Sequence, residues 1–184
     1  MAEIPGYVAG TWDIDPVHSE VSFVVRHMAV SKVRGRFDKF EGVIVTAADP
    51  LASTVSATVD ATSVNTGQEQ RDAHIRSADF FNAEEHNTFN FASTGIKPDG
   101  DDYLLQGDLT IRGVTKPVTL KLEVNGIGPD AFGGTRVGFS ATTVVNRHDF
   151  GVSFNGPIPG VPGGVIVSDK VTLNLEIEGV LRQG

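Results

Sequence analysis

The sequence predicts an all-β fold, an antiparallel barrel or sandwich, and three observations carry that expectation. Apolar residues recur with a period of two along much of the chain, which is the signature of strands with one dry and one wet face. Turn signals separate these runs at short intervals. Glycine is over-used, at 21 of 184 residues, against an average share of about 7%. With 9 Pro, the chain still falls below the roughly 25–30% Gly plus Pro of low-complexity disorder. The length suits a single domain, taken as residues 1–184, with room for a substantial core.

The strands follow in order. Val21, Phe23, Val25 and His27 share one face. Val33, Gly35 and Phe37 share the next, but Phe40 has the opposite parity. A β-bulge near Asp38-Lys39 would return Phe40 to the inner face, with Gly35 and Gly42 allowing the curvature a barrel needs. Asp49-Pro50 turns the chain between runs at 43–47 and 54–61. Phe89 and Phe91 open the next run, and Pro98-Asp99-Gly100 separates it from Leu105, Gly107, Leu109 and Ile111. Gly113 with Lys116-Pro117 predicts a corner before Val118, Leu120, Leu122 and Val124. Asn125-Gly126 predicts the opening of another connection. Val137, Phe139, Ala141, Thr143 and Val145 form one further row, and Val171, Leu173, Leu175 and Ile177 the last.

Two connections are too long for hairpins. In residues 62–87, Thr66-Gly67-Gln68-Glu69 reads as a capping box for a short helix over 68–79. Asp72 and Arg76 are spaced to pair on it. Arg71-Asp72 reads either as a surface pair or as an Arg–carboxylate pair that locks the helix onto the barrel. In residues 146–164 the Gly-Pro run 156–164 leaves no regular element. Long connections of this kind often form lids or mouths.

Composition excludes several chemistries. The chain has no Cys, which removes disulfides, Cys-ligated metals and thiol nucleophiles. A net charge of −8 argues against binding a nucleic-acid backbone. Arg26, Lys32, Arg34, Arg36 and Lys39 nevertheless crowd one stretch, opposed there by Asp38 alone. That stretch is either a solvated strand face or a docking patch for an anionic head group or membrane surface. The first ten residues lack the basic and apolar regions of a signal peptide, so a cytoplasmic protein is expected. Residues 126–131 match a dinucleotide-binding pattern nominally, but a strand rather than a helix follows them. His18, His27, His74, His86 and His148 show no metal-ligand spacing. No metal ligand and no catalytic residue is assigned.

The aromatic set is biased to Phe, with 11 Phe, 1 Trp and 2 Tyr. Phe23, Phe37, Phe89, Phe91 and Phe139 fall on inner faces, which makes a dry lining. His27 shares that face, as a core histidine or as a polar contact for a ligand head group. An eight-stranded barrel lies at the border between a filled core and a ligand cavity. Gly35, Gly107 and Ala141 also point inward, and are expected to leave space opposite the rings.

Five stretches together give the chain a family likeness. They are W-D-I-D-P-V-H-S-E-V-S-F-V-V-R-H (12–27), V-R-G-R-F (33–37), R-D-A-H-I-R-S-A-D-F-F (71–81), G-D-L-T-I-R-G-V-T-K-P-V (107–118) and N-R-H-D-F-G-V (146–152). On these the sequence resembles the YceI-like family of lipocalin-like polyisoprenoid-binding proteins. His86-Asn87 stands where that family usually has Tyr-Pro. The resemblance implies an extended eight-stranded antiparallel lipocalin-like barrel, to which the residues add the one short helix in the connection 62–87. It implies an apolar tunnel for an isoprenoid chain, such as an isoprenoid quinone or its precursor, bound for carriage or storage. The inner-face residues Phe23, Val25, His27, Phe37, Phe40, Phe89, Phe91, Leu109, Ile111 and Phe139 would then line that tunnel, with His27 near the head group. The bound isoprenoid lipid is then the ligand and partner, with no separate cofactor and no nucleic acid. Transient contact with a membrane surface and a homodimer are both compatible with it. Two other readings stand beside this one: an enzyme acting on a small apolar substrate in the cavity, and a stress-linked barrel with no bound ligand.

Overall fold

The strand Gly10–Ile14 (β1) closes the sheet, because it pairs antiparallel with Phe40–Thr46 (β4) on one side and with Val167–Leu181 (β11) on the other. The computed structural model describes residues 3–27, 30–155 and 167–183. From β4 the ring continues through Thr54–Asp60 (β5), Thr88–Asp99 (β7), Asp102–Ile111 (β8), Val114–Pro129 (β9) and Thr135–Asn146 (β10) back to β11, each pair antiparallel. This is the closed eight-stranded barrel that the family likeness implies, and one of the two architectures the alternating pattern allows. Closure leaves the ring without a free edge.

Three further strands lengthen the wall at one end. Glu20–His27 (β2) pairs with β11 and with Ser31–Phe37 (β3), and β3 pairs in turn with Val64–Asn65 (β6). Thus β1–β2, β3–β4 and β5–β6 are bent strands with breaks between their halves. The break at Asp38-Lys39 is the one expected from the parity of Phe40, which does face the lumen. Asp38 holds it, accepting from Arg36 Nε at 2.9 Å and from Asn65 Nδ2 at 3.0 Å.

Several local expectations are corrected. β9 starts at Val114, so Lys116-Pro117 lie inside a strand and the corner is Arg112-Gly113 alone. Both corner residues have positive φ, 51° and 74°, as a two-residue hairpin turn of the right twist demands. Pro117 is tolerated because the ladder from β9 to β10 extends only to Lys121, which leaves the flank away from β8 unpaired. Asn125-Gly126 likewise opens no connection. β9 continues to Pro129, and Asn125 is the extra residue where the register shifts between Gly138 and Phe139. The turn comes later, where Asp130 Oδ1 accepts from the backbone N–H groups of Phe132 and Gly134, both at 2.8 Å.

The helix (α1) is Glu69–Arg76, shorter than the expected 68–79, and the capping box does not form. Thr66 instead donates its hydroxyl to Asp72 Oδ1 at 2.5 Å and its backbone N–H to the same oxygen at 2.9 Å. Asp72 is buried and is occupied by Thr66, so Arg76 pairs with Glu69 at 2.7 Å rather than with Asp72. Arg71 and Asp72 meet only through Thr66, to which Arg71 donates from Nε at 2.8 Å and from Nη2, to the carbonyl, at 2.9 Å. In the second long connection, Arg147–Phe150 forms a 3-10 turn whose start is capped by Asn146 Oδ1. The Gly-Pro run 156–164 lies outside the described residues. Among the described residues, no helix is long and apolar enough to cross a membrane.

Core packing divides between the two ends. Trp12 is fully buried with Ile44 and Val137 at the end where β1 closes the ring. Its indole N–H donates to Thr46 Oγ1 at 2.8 Å, and that hydroxyl donates to the Val8 carbonyl at 2.8 Å. Toward the other end Phe23, Phe37 and Phe89 form a second cluster with Ala61, Val64 and Ala83.

Candidate functional site

Between the two clusters the inward residues of every long strand enclose a cavity of about 400 Å³. That falls in the range usual for small-molecule sites, roughly 300–1,000 Å³. All ten residues of the expected tunnel set line it: Phe23, Val25, His27, Phe37, Phe40, Phe89, Phe91, Leu109, Ile111 and Phe139. Val118, Leu120, Leu122, Ala141, Val171, Leu173, Leu175 and Ile177 complete the apolar wall. The period-two pattern therefore placed the strand residues correctly.

Gly35 and Gly107 do not leave empty space, contrary to expectation. A Cβ on Gly35 would stand 2.2 Å from Phe23 Cζ, and one on Gly107 would stand 2.4 Å from Phe91 Cζ. Gly35 lies directly opposite Phe23, and Gly107 lies two residues along from Leu109, the partner of Phe91. The missing side chains let the rings settle against the wall. Lumen volume is thus preserved by moving rings sideways.

The helix end of the cavity is built from the connections. α1 contributes Arg71, His74 and Ile75; Phe80 and Phe81 follow it; Arg147, Phe150, Val152 and Phe154 come from the connection after β10. The rings of His74, Phe80 and Phe154 pack edge-on, with centroids 5.0–5.3 Å apart. His74 Nε2 lies 2.8 Å from Asp79 Oδ2. Arg112, aimed by the tight β8–β9 turn, donates from Nη1 to the carbonyls of Phe80 at 2.9 Å and Gly151 at 3.0 Å. One side chain therefore ties both mouth segments together. Strand parity assigns no face outside a strand, so these residues escaped it. The paired Phe after the helix and the N-R-H-D-F-G-V stretch were the available signals.

Arg147 is 5% exposed and, among the described residues, bonds to backbone carbonyls: Ser168 from Nε at 2.9 Å, Val152 and Phe154 from Nη1 at 2.7 and 2.8 Å, Val167 from Nη2 at 3.3 Å. Burial pulls its pKa below the ordinary arginine value, partly offset by the charge of Asp169.

A different charged group sits at the closed end. Asp15, His18 and Glu178 bring possible ligand atoms within 4.8 Å of one another. Arg136 Nη1 already lies 2.8 Å from both Asp15 Oδ2 and Glu178 Oε2, and its Nε lies 3.1 Å from Asp130. The guanidinium neutralises the carboxylates, so the group reads as an ion-pair cluster that ties β1 to β10 and β11. Hydrogen bonds from Arg136 and His18 hold the Asp15 carboxyl down to about 2.

Comparison with known proteins follows this geometry. The sequence profile of the YceI-like domain matches residues 12–179. Protein YceI of Escherichia coli is 39% identical over 180 residues, covering 96% of this chain and 90% of that protein. The crystal structure of the Campylobacter jejuni YceI protein superposes with a TM-score of 0.73 at 28% identity, covering 86% of this chain and 90% of that one. A polyisoprenoid binding domain from Saccharophagus degradans, implicated in plant cell wall breakdown, has a TM-score of 0.71 at 17% identity and covers 95% and 100% of the two chains. At that identity the likeness concerns the fold alone.

Proposed function

The chain belongs to the YceI-like domain family, and from that premise we propose that its barrel binds and carries an isoprenoid lipid, a polyisoprenoid or an isoprenoid quinone or its precursor. The observation that carries this reading is the lumen itself. It is walled by Phe, Val, Leu and Ile from all eight strands of the ring, bounded at one end by Ile44, which packs on Trp12, and met by the helix and the 3-10 turn at the other. The structurally similar polyisoprenoid binding domain supports it. Apolar burial supplies the affinity, at about 0.8 kcal/mol per methylene-sized group before ordering costs. The protein acts as a binder rather than a catalyst in this reading, and the ten lining residues named above are its contact set.

We place loading at the β2–β3 hairpin, where Arg26 lies opposite Lys32 and Val30 is 85% exposed. Basic and apolar groups at one tip suit brief contact with an anionic membrane surface.

Native mass spectrometry of the protein purified from its source is the direct test, followed by titration with isoprenoid alcohols of rising length. The expected result is a co-purified isoprenoid, with affinity that climbs by unit and then levels when the lumen is full. Protein that carries no lipid and takes up none of the series would overturn the proposal.

A further inference from the structure

The strand β3 has a free edge. It pairs with β2 along its whole length, from Ser31 to Phe37, but β6 covers its other side only at Arg36 and Phe37. The chain leaves that side after Asn65 and enters α1 at Glu69. Among the described residues, no strand lies beside the outer edge of Ser31–Gly35. A free edge presents unpaired N–H and C=O groups, which are a template for one more strand.

The outward face of this strand is basic, in a chain whose net charge is −8. Lys32, Arg34 and Arg36 are exposed and alternate with Val33, Gly35 and Phe37, which turn to the barrel interior. Period two puts the three cations in one row, about 6.7 Å from one to the next. Arg36 is held by Asp38 at 2.9 Å. Among the described residues, Lys32 and Arg34 form no ion pair with a carboxylate. The row excludes a second copy of β3 as the missing neighbour, because two such edges side by side would set Lys and Arg against Lys and Arg. It favours a strand with carboxylates at alternate positions, which fall on the same outward face within cross-strand reach. A lipid surface meets the cations but offers no ladder to the backbone groups of the edge. An extended acidic peptide meets both.

We propose that the open edge of β3 docks an extended acidic segment of a partner protein, added to the sheet as one more strand with its carboxylates facing Lys32 and Arg34. Backbone hydrogen bonds to Ser31–Gly35 supply the attachment, and the basic row selects the partner and its register. The proposal does not depend on what the lumen holds.

The test measures fluorescence anisotropy of four labelled peptides with the full chain. They are T-E-V-E-V-E-T, the same residues reordered as V-T-E-E-E-T-V, the charge-reversed T-K-V-K-V-K-T, and T-E-P-E-P-E-T, which keeps every carboxylate but loses backbone donors. The first is expected to bind at least tenfold tighter than the reordered and Pro peptides, and the Lys peptide is expected not to bind. Amide hydrogen exchange should slow in residues 31–35 with the first peptide alone. Arg34→Glu and Lys32→Glu should each weaken the first peptide at least tenfold, and the two together should turn the preference toward the Lys peptide. Equal binding of the alternating and Pro peptides, or exchange at 31–35 that stays fast in the complex, overturns the proposal and leaves only charge attraction. Failure of all four peptides to bind also overturns it. If phosphatidylglycerol vesicles then bind and Arg34→Glu abolishes that binding, the row is a membrane contact.

Discussion

Phe23 lies over Gly35 on the neighbouring strand, with its Cζ 2.2 Å from where a Cβ of that residue would stand. The same relation holds between Phe91 and Gly107, at 2.4 Å. A methyl group at either position must displace an aromatic ring into the lumen. Gly35→Ala and Gly107→Ala are each expected to cost about 1–3 kcal/mol by overpacking. Urea denaturation midpoints would measure this. Combining Gly35→Ala with Phe23→Leu should recover part of the loss, as a double-mutant cycle would report. An unchanged midpoint in both single variants would mean that the rings have free space to move into.

Ala141 occupies the opposite situation, a small inward side chain on β10 in the lined cavity. Ala141→Phe should fill part of the lumen while the barrel ladder persists. The expected outcome is at least a tenfold loss of isoprenoid affinity, strongest for the longest chains, with a Tm close to native. Retained affinity for long chains would mean that the tail does not pass this layer.

Arg112 bridges the two mouth segments through the carbonyls of Phe80 and Gly151. Hydrogen bonds to charged groups contribute about 1.5–3 kcal/mol each when buried, less at a half-exposed site. Arg112→Ala should therefore loosen the mouth and leave the strands intact. Amide hydrogen exchange is expected to quicken in residues 68–86 and 147–155, with little change in β7–β10. Uniform acceleration through the strands would show instead that the bridge supports the whole barrel.

Asp15 provides the acid dependence. Its carboxyl is held at about 2 against an ordinary 3.8, first by the hydrogen bond from Arg136. A depressed carboxylate stabilises the fold fully above its unfolded pKa and loses that contribution as pH falls through the folded one. The native protein should lose stability between about pH 4 and pH 2. Asp15→Asn should be less stable at pH 7 and show a smaller loss across that window, so the two curves converge near the acid limit. Parallel melting curves from pH 7 to pH 2 would contradict this.

What the residues determined alone was the lumen wall. Period-two alternation is a property of extended backbone, so parity placed Phe23, Phe89, Leu109 and Phe139 on the inner face without any knowledge of partners. The shift at Phe40 was legible for the same reason, since one extra residue reverses every side chain after it. The short helix was legible in the residues from 66 to 76, and the eight-strand count came from the family likeness carried by the five matched stretches. Tertiary structure decided the rest. Thr66 has the spacing of a helix cap, but the buried Asp72 six residues away takes its hydroxyl instead. Gly35 and Gly107 carry no side chain into the lumen, but cross-strand neighbours supply the rings that cover them. Arg71 meets Thr66, and Arg147 meets the carbonyls of Val152, Phe154, Val167 and Ser168, contacts set by how the connections fold back on the barrel. Local periodicity fixes which way a side chain points, whereas what it meets depends on strands and connections distant in the chain.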